Sequence, residues 1–307
     1  MWVRLNVGTS YQHTFLAPGD VVNVATEQAR RWVLHGIADA AIPPPRPTSD
    51  DSDPTVQPID APIPRAARAP VPITPIITAH DCSLIVPYRP GQPDRERIHD
   101  WCLARYAHLF PDAEIILADA GGEIFSRGRS INDGAARSTR ARIVILDNDY
   151  LFDGLMAYGL IMSAHPWTLG AQPREHIFIA DSASAHNVLS QSPTDVIDLN
   201  GVVTYPNPYP LYGSIIALPR AHFIRFDPEM AGYGWEDNVW YWCMCAVHGE
   251  PHRTENRYYH IYHDRPANSA YMRKSFDNKD YFERVWEPII DDREAMLALM
   301  RAKEMWP

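Results

Sequence analysis

Three short stretches of this chain carry residues whose types and spacing could do chemistry. In "RIVILDNDY", Asp147 and Asp149 flank Asn148 directly after four apolar residues. Residues two apart in an extended chain face the same way, so the two carboxylates can point together. Paired hard oxygen ligands suit Mg²⁺ or Mn²⁺ held jointly with a diphosphate. The plain alternative is an Asx-rich turn closing a strand. In "AGYGWEDNVWYW", the adjacent acids Glu236 and Asp237 stand between a glycine-aromatic run and tryptophans. Either they cap the helix that follows, or one is a catalytic base beside an aromatic-walled, sugar-sized pocket. In "RYYHIYHDRP", His260 and His263 are three apart. The aromatic residues around them favour a strand leading into a turn, so the two need not share one ion. One histidine, His263 ahead of His260, is expected to join the aspartates. A two-histidine zinc site would want further His or Cys ligands at characteristic spacing, and these are missing.

Such residues need elements to position them. "CSLIVPYR" reads as a buried strand and "RIHDWCLARYAHLF" as a helix with Ile98, Trp101, Cys102 and Tyr106 on one face. "AEIILADAGG" reads as a second strand, "SINDGAARSTRA" as a helix and "RIVILDNDY" as a third strand. Strands alternating with helices predict an α/β fold, with a mixed, mainly parallel sheet flanked by helices. Ligands of such sheets bind at the carboxyl ends of the strands. The polar runs Pro87–Arg89, Asp119–Gly122 and Asp147–Asp149 lie there. Arg127, Arg129, Arg137, Arg140 and Arg142 form a basic stretch. The last three read as a solvated helix face. Arg127 and Arg129 are expected to precede the helix, placed for phosphate or base contacts.

Upstream, the composition changes. Residues 42–77 are proline, alanine and small polar residues without a hydrophobic period, which predicts an extended, semi-stiff linker. It separates a small β+α module, residues 1–41, from a body of residues 78–307. In the module, "FLAPGDVVNV" reads as strand around a Pro-Gly-Asp turn, and "TEQARRWVLHGIADA" as a helix capped by Thr26. A module this small is marginal alone, so it is expected to bind a protein partner or to self-associate.

The whole chain has 307 residues, 46% apolar, with a formal net charge of -10. That charge argues against nucleic acid as a partner, which needs a basic surface. Four cysteines, none in a C-x-x-C pair, fit a reducing compartment. The start "MWVRLNVGTSYQHTF" has no signal-peptide pattern, and no segment approaches a membrane span of roughly 20 apolar residues. The expectation is a cytoplasmic protein.

The ordered series "SLIVPYR", "FSRGRSINDGAARS", "ILDNDY", "GSIIALPRAHFIRFDPEMAGYGWEDN" and "HIYHDR" resembles nucleotide-sugar-dependent glycosyltransferases of the GT-A, Rossmann-like fold. The likeness is to the galactosyltransferase-type group with a C-terminal Trp-Glu-Asp motif, and spans about residues 80–265. It implies a hexosyltransferase with a nucleoside-diphosphate sugar, UDP-sugar by preference, and a hydroxyl acceptor on glycan or protein. Residue by residue, it implies that Pro87, Tyr88 and Arg89 border the nucleotide, that Asp119 holds base or ribose, and that Arg127 seats the nucleotide sugar. Asp147 and Asp149 match the metal-binding acids of the DxD motif, with Asn148 between them at the nucleotide sugar. His263 matches the late metal-ligand histidine. Glu236 and Asp237 match the acceptor-holding, base-supplying acids. The family's double glycine is here "YGS" at Tyr212–Ser214, and its Gly-Trp-Gly run is "GYGW" at Gly232–Trp235. Within this reading Asp237 is the general base and Glu236 binds hydroxyls. Displacement proceeds with inversion, and Trp235, Tyr233 and Trp240 offer faces for a sugar ring.

Two other readings stand beside it. A nucleotidyltransferase would want a glycine-rich, basic loop after the first strand, and "PYRPGQPDRER" has Arg89, Gly91 and Arg95 but is proline-rich. A non-catalytic carbohydrate-binding or structural module of a phage particle is the third. The head resembles small modules of tailed-phage proteins, which implies a phage-encoded chain in a bacterial host cell.

Overall fold

The computed structural model describes residues 79–170, 175–207, 212–232, 234–264 and 269–306, with five short strands nearer the N-terminus. The chain forms two compact units, Met1–Arg68 with Pro208–Pro210, and Ala69–Asn207 with Leu211–Pro307. The first contains β1 (Trp2–Leu5), β2 (Thr9–Tyr11), β3 (Thr14–Leu16), β4 (Val21–Asn23) and β5 (Ala38–Ala40). β1 pairs antiparallel with β4 and with β5, and β2 pairs with β3. Strand is therefore present on both sides of the Pro-Gly-Asp, although β3 and β4 pair with different neighbours. Ala38–Ala40, expected to end a helix, is a strand instead. Gly36 can break the helical run, and pairing with β1 outweighs a weak local propensity. Residues 26–37 of that expected helix, and the expected linker at 42–77, lie outside the described residues.

The second unit follows the alternation read from the sequence. Its elements begin with β6 (Cys82–Pro87), α1 (Pro93–Leu109), β7 (Glu114–Ala118), α2 (Arg127–Arg137) and β8 (Arg142–Leu146). β9 (Tyr150–Leu151), α3 (Gly154–Met162), β10 (Thr168–Leu169), β11 (His176–Ile179), α4 (Ser182–Leu189), β12 (Thr204–Pro206) and β13 (Ile215–Pro219) come next. The remainder is α5 (Glu236–His248), β14 (His252–Arg253), β15 (Tyr258–His260), α6 (Ser269–Tyr281) and α7 (Arg293–Ala302). A six-stranded sheet has the order β14-β10-β13-β8-β6-β7, and a four-stranded sheet has the order β12-β11-β15-β9. The larger sheet is mixed. β6 runs parallel to β7 and β8, and β10 to β14, while β13 is antiparallel to β8 and β10. Arg127 and Arg129 lie in the first turn of α2, not before it.

Alternation of side chains gives the larger sheet two apolar faces. Leu84, Val86, Val144, Leu146, Ile215 and Ala217 face one core with α1 and α3. Ile85, Ile143, Ile145, Ile216 and Leu218 face the other with α2, α5 and α7. Helices thus flank the sheet on both sides. Trp240, expected to offer a ring to a sugar, is fully buried in the second core. Its indole donates to the Ile224 carbonyl at 2.7 Å, so it is a packing residue. The four cysteines are free thiols.

One buried acid ties the C-terminal elements together. Asp227, 2% exposed, accepts hydrogen bonds from Tyr281 (2.9 Å) and the Trp286 indole (3.0 Å), and Lys303 lies 3.4 Å away. Asp227→Ala leaves the buried Trp286 indole without its acceptor and takes one partner from Tyr281 and from Lys303, which keeps Glu229 at 2.7 Å. It is expected to cost about 3 kcal/mol of stability, the range for breaking a buried charge network. A urea midpoint equal to that of the unaltered protein would show the network to be dispensable.

Candidate functional site

Because β6, β7 and β8 are parallel, the residues following them emerge at one edge. After β6 come Tyr88 and Arg89, with Pro87 buried as the last strand residue. Tyr88 stacks on His99 of α1, with ring centroids 3.6 Å apart. After β7 comes Asp119. Arg89 donates to both of its carboxylate oxygens, at 2.8 and 2.6 Å, and to the Gly122 carbonyl at 2.9 Å. The bidentate pair holds the Asp119 carboxyl below its ordinary range.

After β8 come Asp147, Asn148 and Asp149, the last two buried. Tyr106 of α1 fixes this turn from beneath, its hydroxyl 2.7 Å from the Asp147 carbonyl and 2.9 Å from that of Tyr150. β15 then brings in the histidines. It pairs with β9 so that His260 lies opposite Tyr150, and the Ile261 amide donates to the Asp149 carbonyl at 2.8 Å. Asp149 Oδ2 lies 3.4 Å from His260 Nε2 and 3.3 Å from His263 Nε2. Ligand atoms of Asp149, His260 and His263 all lie within 4.8 Å of one another.

This trio fits a divalent metal. Asp149 Oδ1 is buried and has no hydrogen-bond partner among the described residues. A buried polar atom left unpaired is costly and signals an absent partner. His263 Nδ1 lies 3.1 Å from the Asp264 carbonyl, so in the tautomer that donates from Nδ1 the Nε2 lone pair, 3.3 Å from Asp149 Oδ2, would be available to a metal ion. Burial alone would raise the Asp149 carboxyl, but His260 and His263 hold it well below the usual carboxylate range. Both histidines lie in this trio, where the sequence placed His263 ahead of His260.

Asp147 faces elsewhere. Its Oδ1 accepts from Arg127 Nε at 2.7 Å, and Arg127 also donates to the Gly213 carbonyl at 2.6 Å. The register of β13 explains this contact. Ile215 lies opposite Leu146, so Gly213 and Ser214 enter the sheet beside the end of β8. A Cβ at Gly213 would come within 2.7 Å of the Asp237 Cβ, so only glycine allows this approach. Asp237 and Glu236 open α5. The residue before them, Trp235, has φ 72°, a left-handed backbone that is strained for a bulky side chain. Its ring lies 4.9 Å from Phe282. Tyr233 lies outside the described residues.

Arg127 therefore stands among three acids. Burial would lower its pKa, yet Asp147, with Glu236 and Asp237, keeps it above its ordinary value. Burial raises Asp147 to about 6 against the pull of Arg127, and raises Asp237 against the same cation. Burial and neighbouring Asp237 raise Glu236 to about 8. Glu236 Oε2 is also buried without a hydrogen-bond partner. The folded chain thus keeps a proton on Glu236 that the unfolded chain releases above its ordinary pKa of 4.5. The contribution of Glu236 to stability is expected to be full below that value and to be lost as pH rises to about 8. Urea midpoints measured between pH 5 and 9 should fall for the native chain and flatten for Glu236→Gln. Equal slopes would mean that Glu236 does not hold the proton.

Sequence reasoning weighed Arg95 only for a nucleotidyltransferase loop and did not place it beside Asp149. It lies in the first turn of α1, and its guanidinium is 3.7 Å from Asp149 Oδ2. Its only signal was membership of "PYRPGQPDRER". Tyr106 was read only as a core residue. Cavities of about 700 and 670 Å³ lie away from this cluster, beside α2 and at residues 251–256. Among the described residues no helix is long and apolar enough to cross a membrane.

No protein-family model matches the chain, and no curated protein matches its sequence. Among solved structures, it is similar to a mutant of Drosophila beta-1,4-galactosyltransferase 7 in complex with manganese, UDP-Gal and xylobiose. Identity is 16% and TM-score 0.40, over 62% of this chain and 78% of that one. It is also similar to Mycobacterium tuberculosis glucosyl-3-phosphoglycerate synthase in complex with Mn²⁺, UDP-glucose and phosphoglyceric acid. Identity is 14% and TM-score 0.39, over 66% of this chain and 79% of that one. Scores this low assign no activity to the chain.

Proposed function

We propose that the chain is a metal-dependent glycosyltransferase moving a sugar from a nucleoside-diphosphate sugar to a hydroxyl acceptor. The observation that carries this is the convergence of Asp149, His260 and His263 at a strand end, next to Asp147 and Arg127, whose charges act on the buried Glu236 and the half-buried Asp237. In this reading Asp149, His263 and His260 hold Mn²⁺ or Mg²⁺. Asp147, a second acidic ligand by resemblance, is here the partner of Arg127. The metal, when bound, supplies Lewis-acid stabilisation of the departing diphosphate. Arg89 borders the nucleotide, UDP by resemblance, and Asp119 holds its base or ribose. Asp237 takes the proton of the attacking hydroxyl, and Glu236, protonated at neutral pH, donates to an acceptor or sugar oxygen. A base opposite the leaving group gives inversion. The head, residues 1–41, tethered by the linker, binds a protein partner or a second copy, and by its phage-like pattern the chain works inside a bacterial host cell.

A melting-temperature screen of nucleotide sugars with and without Mn²⁺ tests the proposal, since a ligand of the native state raises the midpoint by mass action. At least one nucleotide sugar is expected to raise it only with Mn²⁺, and to release nucleoside diphosphate slowly. Sugar binding without turnover would favour the carbohydrate-binding module, and pyrophosphate release the nucleotidyltransferase.

A further inference from the structure

The basic stretch of α2 divides in the fold. Arg127 turns toward Asp147. Arg129, about 200° further round the helix at two residues of 3.6 per turn, donates from Nε to the Pro228 carbonyl at 2.9 Å. There it lines a cavity of about 700 Å³ together with Arg220 and Arg225, over apolar surface from Ile143, Phe223 and Pro228. Arg220 donates to the Ser138 carbonyl at 3.0 Å, which leaves most of its guanidinium free. Arg225 has no side-chain partner among the described residues.

No carboxylate among the described residues pairs with any of the three. The neighbouring acids are engaged: Asp133 with Arg137 at 2.8 Å, and Asp227 and Glu229 with Lys303 at 3.4 and 2.7 Å. In a chain of net charge -10, this cavity sets three arginines against one lining carboxylate, Asp133, and that carboxylate is already paired with Arg137. Like charges gathered in one concavity repel each other unless an anion joins them. The planar guanidinium fork suits phosphate and carboxylate oxygens, and the apolar floor suits a carbon frame.

We propose that this cavity binds a small organic anion with at least two phosphate or carboxylate groups, at a site separate from the aspartate–histidine cluster. The site does not depend on the transferase reading.

Calorimetric titration of the full chain in EDTA, with fructose 1,6-bisphosphate and with citrate as probes, tests it. The bisphosphate binding alone would mark a phosphate ligand, citrate alone a carboxylate, and both support the site. Arg225→Glu reverses a charge without removing a side-chain contact among the described residues. It and Arg220→Ala are measured separately, so that a folding failure in one leaves the other. Each is expected to weaken binding about tenfold or more, the scale of one lost charge-assisted hydrogen bond. Arg89→Ala, at the other site, should leave it unchanged. The proposal is overturned if neither probe binds, if Arg220→Ala and Arg225→Glu both bind as the native chain does, or if Arg89→Ala weakens binding as much as they do.

Discussion

Asp149→Asn is expected to remove Mn²⁺ binding and, with it, turnover of the nucleotide sugar, while the melting temperature stays within a few degrees. Asp149 presents one oxygen to His260 and His263 and keeps the other buried and unpaired. An amide halves the oxygen donors and carries no charge for the ion. Lewis-acid stabilisation of a leaving diphosphate is worth several kcal/mol, so a loss of roughly 10³-fold or more in kcat/KM is expected. His263→Ala should weaken Mn²⁺ in parallel. Asp147→Asn separates two roles. If it costs as much Mn²⁺ affinity as Asp149→Asn, both aspartates serve the ion. If it spares affinity, Asp147 serves Arg127. Full turnover by Asp149→Asn in strong chelator would end the metal reading.

Asp237→Asn is expected to keep donor binding and lose transfer by about 10²–10⁴-fold, the usual contribution of a general base. Burial raises both acids at the start of α5, and Glu236 further than its neighbour, to about 8. At neutral pH Asp237 is thus the better proton acceptor, and Glu236 the better donor of a hydrogen bond. Glu236→Gln replaces the O–H donor of the protonated acid with an N–H donor and should mainly raise KM for the acceptor. The check is initial rates with varied acceptor, beside donor affinity by titration. Undiminished transfer by Asp237→Asn would leave that carboxylate a capping role only. A product that kept the donor's anomeric configuration would exclude inversion.

Much of the scaffold was legible because local pattern determines it. "SLIVP", "EIILA" and "RIVIL" are apolar runs of strand length, and the helices between them carry one apolar face. The placement of Asp149 at a strand end followed from the same runs. Contacts between distant residues were not legible. That β13 enters antiparallel beside β8 depends on pairing across the chain, and it decides that Arg127 meets Gly213 and Asp147. Helical spacing placed Tyr106 on a buried face but could not say that its hydroxyl reaches the aspartate turn. Trp240 illustrates the converse. An aromatic residue beside candidate catalytic acids looks like a sugar platform, yet the helix turns it inward by its phase.

The insertion of β13 has a consequence for synthesis. As the chain leaves the ribosome, β6, β7 and β8 can pair with one another, since all three are made early and lie side by side. The other edge of β8 must wait for residues 215–219. Until they arrive it exposes unpaired amides and carbonyls flanked by Ile143, Val144, Ile145 and Leu146, all of which end fully buried. Such an edge is a template for pairing with a foreign strand. The nascent protein is therefore most prone to aggregate while the segment between β8 and β13 is being translated. A chaperone that holds this edge would raise the yield of native protein more than one that acts on the finished chain.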